Sequence, residues 1–175
     1  VILVGEIRDQ ETAVIATQAA LTGHLVLTSL HANDSVSALL RLRDLGIAPY
    51  LLASSLAGIV AQRMVRVVCR GCQSSAKRPL AEQKAYAAEL GEHREQFIYG
   101  SGCNLCAQTG YRGRTGVFET LTMSDAIRHL LMEEAPRDQG WKAAMDEGLV
   151  PIRQAGMVKA KEGVTTPYEV MRVLF

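Results

Sequence analysis

The pattern of apolar and polar positions predicts a strand–helix–strand unit at the start of the chain. Residues 1–4 are four consecutive branched apolar residues, VILV. A run this short is typical of a strand, and its lack of polar alternation predicts burial on both faces, as in a parallel sheet covered by helices. Residues 9–22 are alanine-rich and lie between Asp9, a suitable N-cap, and Gly23, a suitable end, so a helix is predicted there. A second strand is predicted at residues 24–30, which completes the order of a βαβ unit.

The rest of the chain continues this alternation and then becomes helical. Three further helices are predicted, at residues 35–45, 48–61 and 79–90. Three further strands are predicted, at residues 64–68, 97–99 and 115–121. Four final helices are predicted, at residues 124–133, 137–147, 152–162 and 166–174. The pattern therefore predicts an α/β fold with a mainly helical subdomain at its carboxyl end.

The composition of the chain gives little information about its binding partners. The chain has 175 residues, 48% of them hydrophobic, and a formal net charge of +1 at pH 7. This length suits one domain with a small additional module, and a net charge near zero indicates neither nucleic-acid nor membrane binding. No stretch approaches the ~20 apolar residues of a spanning helix. Because the sequence opens inside a strand without an initiator methionine, we expect it to be part of a larger protein.

An acidic residue follows the first predicted strand directly. Gly5 allows the backbone to bend where the strand ends, and Glu6 comes next. In open α/β sheets, ligands bind at the carboxyl ends of the strands. A carboxylate there can hold Mg²⁺ or polarise the water that attacks a terminal phosphate. The alternative is a strand that ends in a solvated carboxylate.

Two histidines, His24 and His31, bracket the second predicted strand. In a regular strand they would lie about 23 Å apart and on opposite faces, so both cannot contact one phosphate. His31 lies at the carboxyl end, with Glu6 if the strands are parallel, and is the candidate phosphate sensor. Thr28 and Ser29 are candidate hydroxyls for positioning water. The alternatives are a structural or subunit-contacting role for His24 and an ordinary loop position for His31.

A basic segment follows. Gln62 and Arg63 lie at the junction before a predicted strand, where a cation can reach a phosphate or simply face solvent. Residues 62–78 contain five basic side chains and no acidic one. Such a surface can bind nucleic acid, although only Tyr86 lies nearby for base stacking. A solvated or subunit-facing surface is the alternative.

The four cysteines of the chain form two Cys-x-x-Cys pairs, Cys69 with Cys72 and Cys103 with Cys106. Each pair presents two thiolates to one ion, and four thiolates complete a closed tetrahedral Zn²⁺ site. The alternatives are disulfides, which require an oxidising compartment, and buried free thiols. Because a closed zinc site is structural, we assign no catalysis to it.

Several of these segments, taken in order, resemble the ATPases of type II secretion and type IV pilus assembly. The resemblance is carried by VGEIRDQETA, TGHLVLTSLHAND, AQRMVR, the two cysteine pairs and GYRGRTGVFE. The cysteine pairs favour the secretion or pilus-extension branch, because the related retraction ATPases usually lack them. The resemblance implies part of a RecA-like P-loop ATPase core and a hexamer that hydrolyses ATP to drive assembly of a pilus or pseudopilus. A related ATPase of DNA uptake or conjugation is a further hypothesis.

The resemblance also implies roles for single residues. VILVGE resembles the Walker B strand and TGHLVLTSLH the histidine box. Glu6 would act on the attacking water near Mg²⁺, and His31 would sense the γ-phosphate of ATP. The residues assigned to the nucleotide site or its boundary are Gly5, Arg8, His24, Thr28, Ser29, Gln62 and Arg63.

The implied organisation has three consecutive segments. Residues 1–68 would belong to the ATPase core, residues 69–110 to the zinc-binding module and residues 111–175 to the helical subdomain. The full-length protein would be a cytoplasmic homo-hexamer that reaches the inner membrane through a platform protein and cytoplasmic adaptor proteins, without inserting into lipid or binding nucleic acid. The alternative is a non-catalytic zinc ribbon that binds nucleic acid or a partner protein.

The sequence lacks GxxxxGK[ST], the loop whose amides and lysine hold nucleotide phosphates. In the family that it resembles, this loop precedes the Walker B strand, so we expect it upstream of Val1. We therefore expect these 175 residues alone to bind ATP weakly or not at all and to be inactive. The intact protein is expected to use ATP, Mg²⁺ and Zn²⁺.

Overall fold

The structure is a computed structural model that describes residues 1–175. The strands are β1 (Ile2–Val4), β2 (Val26–Thr28), β3 (Gly58–Val68), β4 (Gln73–Lys77), β5 (Gln96–Gly100) and β6 (Tyr111–Thr122). The helices are α1 (Gln10–Leu21), α2 (Ser35–Asp44), α3 (Pro49–Ser55), α4 (Leu80–Leu90), α5 (Asp125–Met132), α6 (Arg137–Asp146), α7 (Ile152–Lys161) and α8 (Pro167–Leu174). The chain forms two compact units, Val1–Ala61 with Glu119–Leu149 and Gln62–Phe118 with Val150–Phe175. The predicted α/β fold class is confirmed.

The first unit begins with the predicted βαβ order. β1 and β2 pair in parallel, with Ile2 opposite Val26 and Val4 opposite Thr28. Between them α1 is capped by Asp9, whose carboxylate accepts a 2.8 Å hydrogen bond from the backbone N–H of Thr12. The parallel pairing brings the carboxyl ends of both strands to the same edge.

Helices cover only one face of this two-stranded sheet. The core of the first unit is built mainly from α1, α2, α3 and α5, and it includes Ala13, Leu39, Leu52, Ile127 and Leu131. Val4 packs against this core, whereas Leu3 is 78% exposed. The prediction that the first strand is buried on both faces is therefore wrong for this chain. Side chains alternate across a strand, and no element of the unit covers the Leu3 face.

The second unit contains an antiparallel strand pair, most of the paired strands β3 and β6, and three helices. β4 pairs with β5, with Gln73 opposite Gly100 and Lys77 opposite Gln96. Its larger buried cluster joins α4, α7 and α8 to β5 and consists of Tyr86, Phe97, Met157, Ala160 and Val170. The rings of Tyr86 and Phe97 meet edge to face with centroids 4.8 Å apart.

The predicted and observed elements differ at two places in the chain. The helix predicted at residues 48–61 ends at Ser55, because Leu56 turns into an extended conformation and β3 begins at Gly58. β3 pairs with β6, and this pairing outweighs the helical apolar pattern of GIVA. β4 was not predicted, since its sequence QSSAK has no apolar alternation.

The two compact units interleave along the sequence, whereas the predicted segments are consecutive. The functional division at residues 68 and 110 stays a prediction. None of the helices has both the length and the apolar character needed to cross a membrane.

Candidate functional site

Glu6 is the centre of a small charged cluster in the first unit, at the sheet edge where the carboxyl ends of β1 and β2 lie. Its Oε2 lies 2.5 Å from Arg8 Nη2, and its Oε1 lies 2.8 Å from His31 Nε2. The carboxylate is recessed, with 20% of its side chain exposed, while the side chains of Arg8 and His31 are 76% and 91% exposed. Oε1 is buried against His31 without an aligned hydrogen bond to it.

The backbone around this cluster is tied together across the strand edge. Ser29 Oγ donates a 2.7 Å hydrogen bond to the carbonyl of Gly5, and the N–H of Ile7 donates to the carbonyl of Ser29 at 3.0 Å. These bonds join the end of β1 to the segment that follows β2. They explain why Glu6 and His31 meet although they are far apart in sequence.

Arg8 lowers the pKa of the Glu6 carboxyl. The hydrogen bond from Arg8 is the largest cause, burial opposes it, and the charges of Arg8 and His31 add to the lowering. The carboxylate is therefore ionised at neutral pH. An ionised carboxylate can hold a divalent cation or orient a water molecule.

The other candidates in the first unit lie at different places. Thr28 is exposed, and its hydroxyl donates to the carbonyl of Ser29 at 3.4 Å. His24 lies where α1 ends, with Nδ1 at 3.2 Å from both the Ala19 carbonyl and Thr22 Oγ1. The structure does not bring His24 to Glu6, because His24 precedes β2 and the cluster forms after it.

Gln62 and Arg63 lie on β3 in the second unit. Gln62 Nε2 donates to Met64 Sδ at 3.5 Å, and Arg63 Nη1 donates to the Gln62 carbonyl at 2.9 Å. Their assignment to the nucleotide or subunit boundary stays a prediction.

The four cysteines meet within the second unit. All four Sγ atoms lie within 4.8 Å of one another. The separations are 3.9 Å for Cys69–Cys103, 3.8 Å for Cys72–Cys106 and 3.7 Å for Cys103–Cys106. A tetrahedron of thiolates with Zn–S bonds of ~2.3 Å has edges of about 3.8 Å. The donor set and spacing thus fit zinc, and all four cysteines are free of disulfides.

Backbone donors prepare this cluster for thiolates. The N–H groups of Cys103 and Gly110 donate to Cys106 Sγ at 3.2 and 3.3 Å. Burial opposes ionisation of Cys106, but these donors and the neighbouring thiols lower its pKa to about 6. Burial raises the pKa of Cys72 to about 11. Gly100 and Gly110 allow this packing, because a Cβ on either would collide with the backbone of the other.

Two arginines of the basic segment are engaged with carboxylates. Arg66 pairs with Glu169 at 2.6 Å and Arg78 with Glu82 at 3.0 Å. Each carboxylate is almost fully buried, so these cations serve the interior of the second unit. Their engagement weakens the alternative of a nucleic-acid-binding ribbon.

The sequence reasoning missed three buried acids, Glu82, Glu119 and Glu169, which are 4%, 1% and 0% exposed. Glu119 shares one face of β6 with Val117 and Leu121, which are both buried. An acidic residue on the apolar face of a predicted strand was the available signal, since a buried carboxylate requires hydrogen-bond donors.

Residues 1–172 match the protein family described as Type II/IV secretion system protein. The chain belongs to this family. It is 44% identical over 175 residues to the type IV pilus assembly ATPase TfpB of Acinetobacter baylyi, covering 99% of this chain and 30% of TfpB. It is 46% identical over 181 residues to the type II secretion system protein E of Pseudomonas aeruginosa, covering 99% of this chain and 34% of that protein. This member of the Type II/IV secretion system family thus spans about a third of these relatives.

Solved structures support the fold. The ATPase DotB of Legionella pneumophila superposes with a TM-score of 0.61 at 19% identity, covering 98% of this chain and 37% of DotB. The pilus retraction motor PilT superposes with a TM-score of 0.63 at 24% identity, covering 98% of this chain and 38% of PilT. The predicted α/β fold and the predicted relation to the type II secretion and type IV pilus proteins are confirmed.

Proposed function

We propose that this chain is the carboxyl-terminal part of an ATPase that powers type II secretion or type IV pilus assembly. The observation that carries the proposal is the meeting of the recessed, ionised Glu6 with His31 at the carboxyl ends of two parallel strands. This is where open α/β sheets bind ligands. The names of two relatives, a type IV pilus assembly ATPase and a type II secretion system ATPase, support the same function.

Glu6 is the group that acts on the attacking water. Its ionised carboxylate orients the water and would hold Mg²⁺, which would stabilise negative charge on the phosphates, while Arg8 keeps the carboxylate charged. His31, on the exposed side of the cluster, contacts the γ-phosphate and reports its presence. Ser29 holds the two strand ends together through Gly5, and Thr28 offers an exposed hydroxyl to water or nucleotide.

His24, Gln62 and Arg63 are proposed to act at the boundary between subunits or beside the nucleotide.

The four cysteines, Cys69, Cys72, Cys103 and Cys106, are proposed to hold one structural Zn²⁺, which would tie the two Cys-x-x-Cys turns together. The distances between the Sγ atoms support this assignment.

The full-length protein is proposed to act as a homo-hexamer on the cytoplasmic side of the inner membrane, which it reaches through platform and adaptor proteins.

The isolated chain is proposed to lack activity, because no GxxxxGK[ST] loop lies within its sequence. Titration of the isolated 175 residues with millimolar ATP in a calorimeter tests this. A clear saturable signal would contradict it.

The deciding experiment compares ATP hydrolysis by the full-length protein with and without Glu6→Gln. The substitution retains the shape of the side chain and removes its charge. We expect kcat to fall by about 10²–10⁴-fold while nucleotide binding persists. Glu11→Gln, an exposed glutamate in the first turn of α1, is the matched control and should retain activity. An inactive wild type, or a fully active Glu6→Gln variant, would overturn the proposal.

A further inference from the structure

We call residues 29–34 the histidine loop. Hydrogen bonds at the two ends of this loop hold it in place, whereas the His31 side chain packs against little of the protein. The His31 side chain is 91% exposed, and its ring contacts Glu6. At the amino end of the loop, Ser29 Oγ donates to the carbonyl of Gly5. Because the ring itself is so exposed, its position depends on where the loop begins and ends.

The carboxyl end of the histidine loop is fixed by a residue from a distant part of the chain. Ser35, the first residue of α2, donates two hydrogen bonds to Glu119 Oε1, from its N–H at 2.9 Å and from its Oγ at 2.5 Å. Ser35 is 0% exposed and Glu119 is 1% exposed. These bonds join positions 84 residues apart and lie four residues after His31.

The carboxylate of Glu119 is placed where a buried negative charge is tolerated. The first N–H groups of a helix have no partners within the helix, and the helix dipole is positive at this end. Asp34 uses the same helix end, accepting from the N–H of Ser37 at 2.7 Å. Arg137 lies 2.8 Å from Asp34 and balances part of the local negative charge.

We propose that Glu119 is a positioning residue for His31, acting through Ser35. The inference rests on the proposed ATP hydrolysis. With the carboxyl end of the histidine loop held, the exposed imidazole stays in contact with Glu6 and within reach of a nucleotide phosphate bound beside it. Without this anchor the start of α2 loses a buried attachment next to the histidine loop. A displacement of a catalytic group by about 1 Å can cost ~100-fold in rate.

A purely structural role for Glu119 makes a different prediction. If Glu119 only stabilised the first unit, its loss would lower the unfolding temperature, and its effect on activity would be independent of His31. If it positions His31, its loss lowers kcat more than it changes KM for ATP. The loss also becomes small once His31 has been removed, because residues that act as a unit are not additive.

The experiment uses full-length protein with Glu119→Gln, Ser35→Ala and His31→Ala, alone and combined. Ser35→Ala removes one donor and leaves the carboxylate in place, so it guards against a variant that fails to fold. We expect each of the first two to lower kcat by ~10-fold or more with KM changed by less than ~3-fold. In the His31→Ala background, each should change kcat by less than ~2-fold.

Glu169→Gln is the matched control, because it removes another fully buried carboxylate in the second unit. It should lower the unfolding temperature without a kcat effect that depends on His31. The positioning role would be overturned if kcat were unchanged in Glu119→Gln and Ser35→Ala. It would also be overturned if the fold-loss in kcat from either substitution were the same with and without His31→Ala. An inactive wild type would instead refute the proposed ATPase function, so the two failures are distinguishable.

Discussion

Arg66 and Glu169 are 103 residues apart in sequence, and the guanidinium of Arg66 donates to the carboxylate of Glu169 at 2.6 Å. The backbone N–H of Arg66 donates a second hydrogen bond to this carboxylate at 3.1 Å, and the Arg172 side chain donates two of 2.8 Å. Arg66 also stacks over Tyr111, 4.2 Å from the ring centroid. One fully buried carboxylate thus connects β3 to α8 inside the second unit.

This network predicts a loss of stability in acid. Burial raises the pKa of Glu169, but the donors from Arg172 and Arg66 outweigh it and lower the pKa from 4.5 to about 2. Because the folded pKa is depressed, the stabilisation is complete above about pH 4.5 and is lost as the pH falls towards 2. The shift corresponds to a contribution on the order of 3 kcal/mol.

The measurement is urea unfolding of wild type and Glu169→Gln across this pH range. The stability difference between them should shrink as the pH falls, since the variant has no carboxyl to protonate. Glu95→Gln is the control, because Glu95 and Lys77 form an ion pair with both side chains more than half exposed. A difference that stays constant down to about pH 2 would contradict the prediction.

Local signals were sufficient for the βαβ unit and for the meeting of Glu6 with His31. The cap at Asp9 and the apolar run of β1 are each encoded within a few residues, and parallel pairing then places both strand ends at one edge. The cysteine cluster was predictable for the same reason, since each Cys-x-x-Cys turn is local and only one pair of turns exists to be joined.

Pairing between distant segments explains what was not predicted. β4 has a polar sequence, and its partner β5 supplies the hydrogen bonds that make it a strand. Glu119 accepts hydrogen bonds from Ser35 and Glu169 accepts them from Arg66, each more than 80 residues away, although Arg172 of the same helix also donates to Glu169. Such long-range contacts are hard to predict from the local sequence. The available local signal is an acidic residue on an otherwise apolar face.

Zinc removal should destabilise the protein. The Sγ separations fit four thiolates around one ion, and such an ion contributes its binding free energy to folding. We expect about one zinc per chain by elemental analysis and an unfolding temperature that falls by about 10 °C with a chelator or with Cys103→Ser. Ser75→Ala, at an exposed position of β4, should retain the metal. Purified protein without bound zinc, and with no response to added zinc, would refute the site.

Arg8 should set the acid limb of the ATPase pH profile. Its hydrogen bond is the main cause of the lowered pKa of Glu6. Because hydrolysis is proposed to require the ionised carboxylate, activity falls as the pH drops through that pKa. In Arg8→Ala the pKa rises, so the acid limb of kcat/KM should move to higher pH. Arg41→Ala, at an exposed position of α2, should leave the profile in place, and an equal shift in both variants would argue against the assignment.

Two helix-interior glycines should respond to alanine with opposite signs. A Cβ at Gly140 in α6 would lie 3.8 Å from Val36 Cγ1, an ordinary contact. Alanine there reduces the entropy cost of folding and should stabilise by about 0.5–1 kcal/mol.

In α7, a Cβ at Gly156 would lie 2.7 Å from Leu174 Cδ1 and 2.9 Å from Val170 Cγ1. Val170 is 0% exposed and its β-branched side chain is stiff. Overpacking at such a site costs about 1–3 kcal/mol, which exceeds the gain in helix propensity. Urea unfolding of Gly140→Ala and Gly156→Ala measures both signs. Equal effects of the two substitutions would show that α7 and α8 can separate enough to accept the methyl group, and that their close packing at Gly156 is not required for stability.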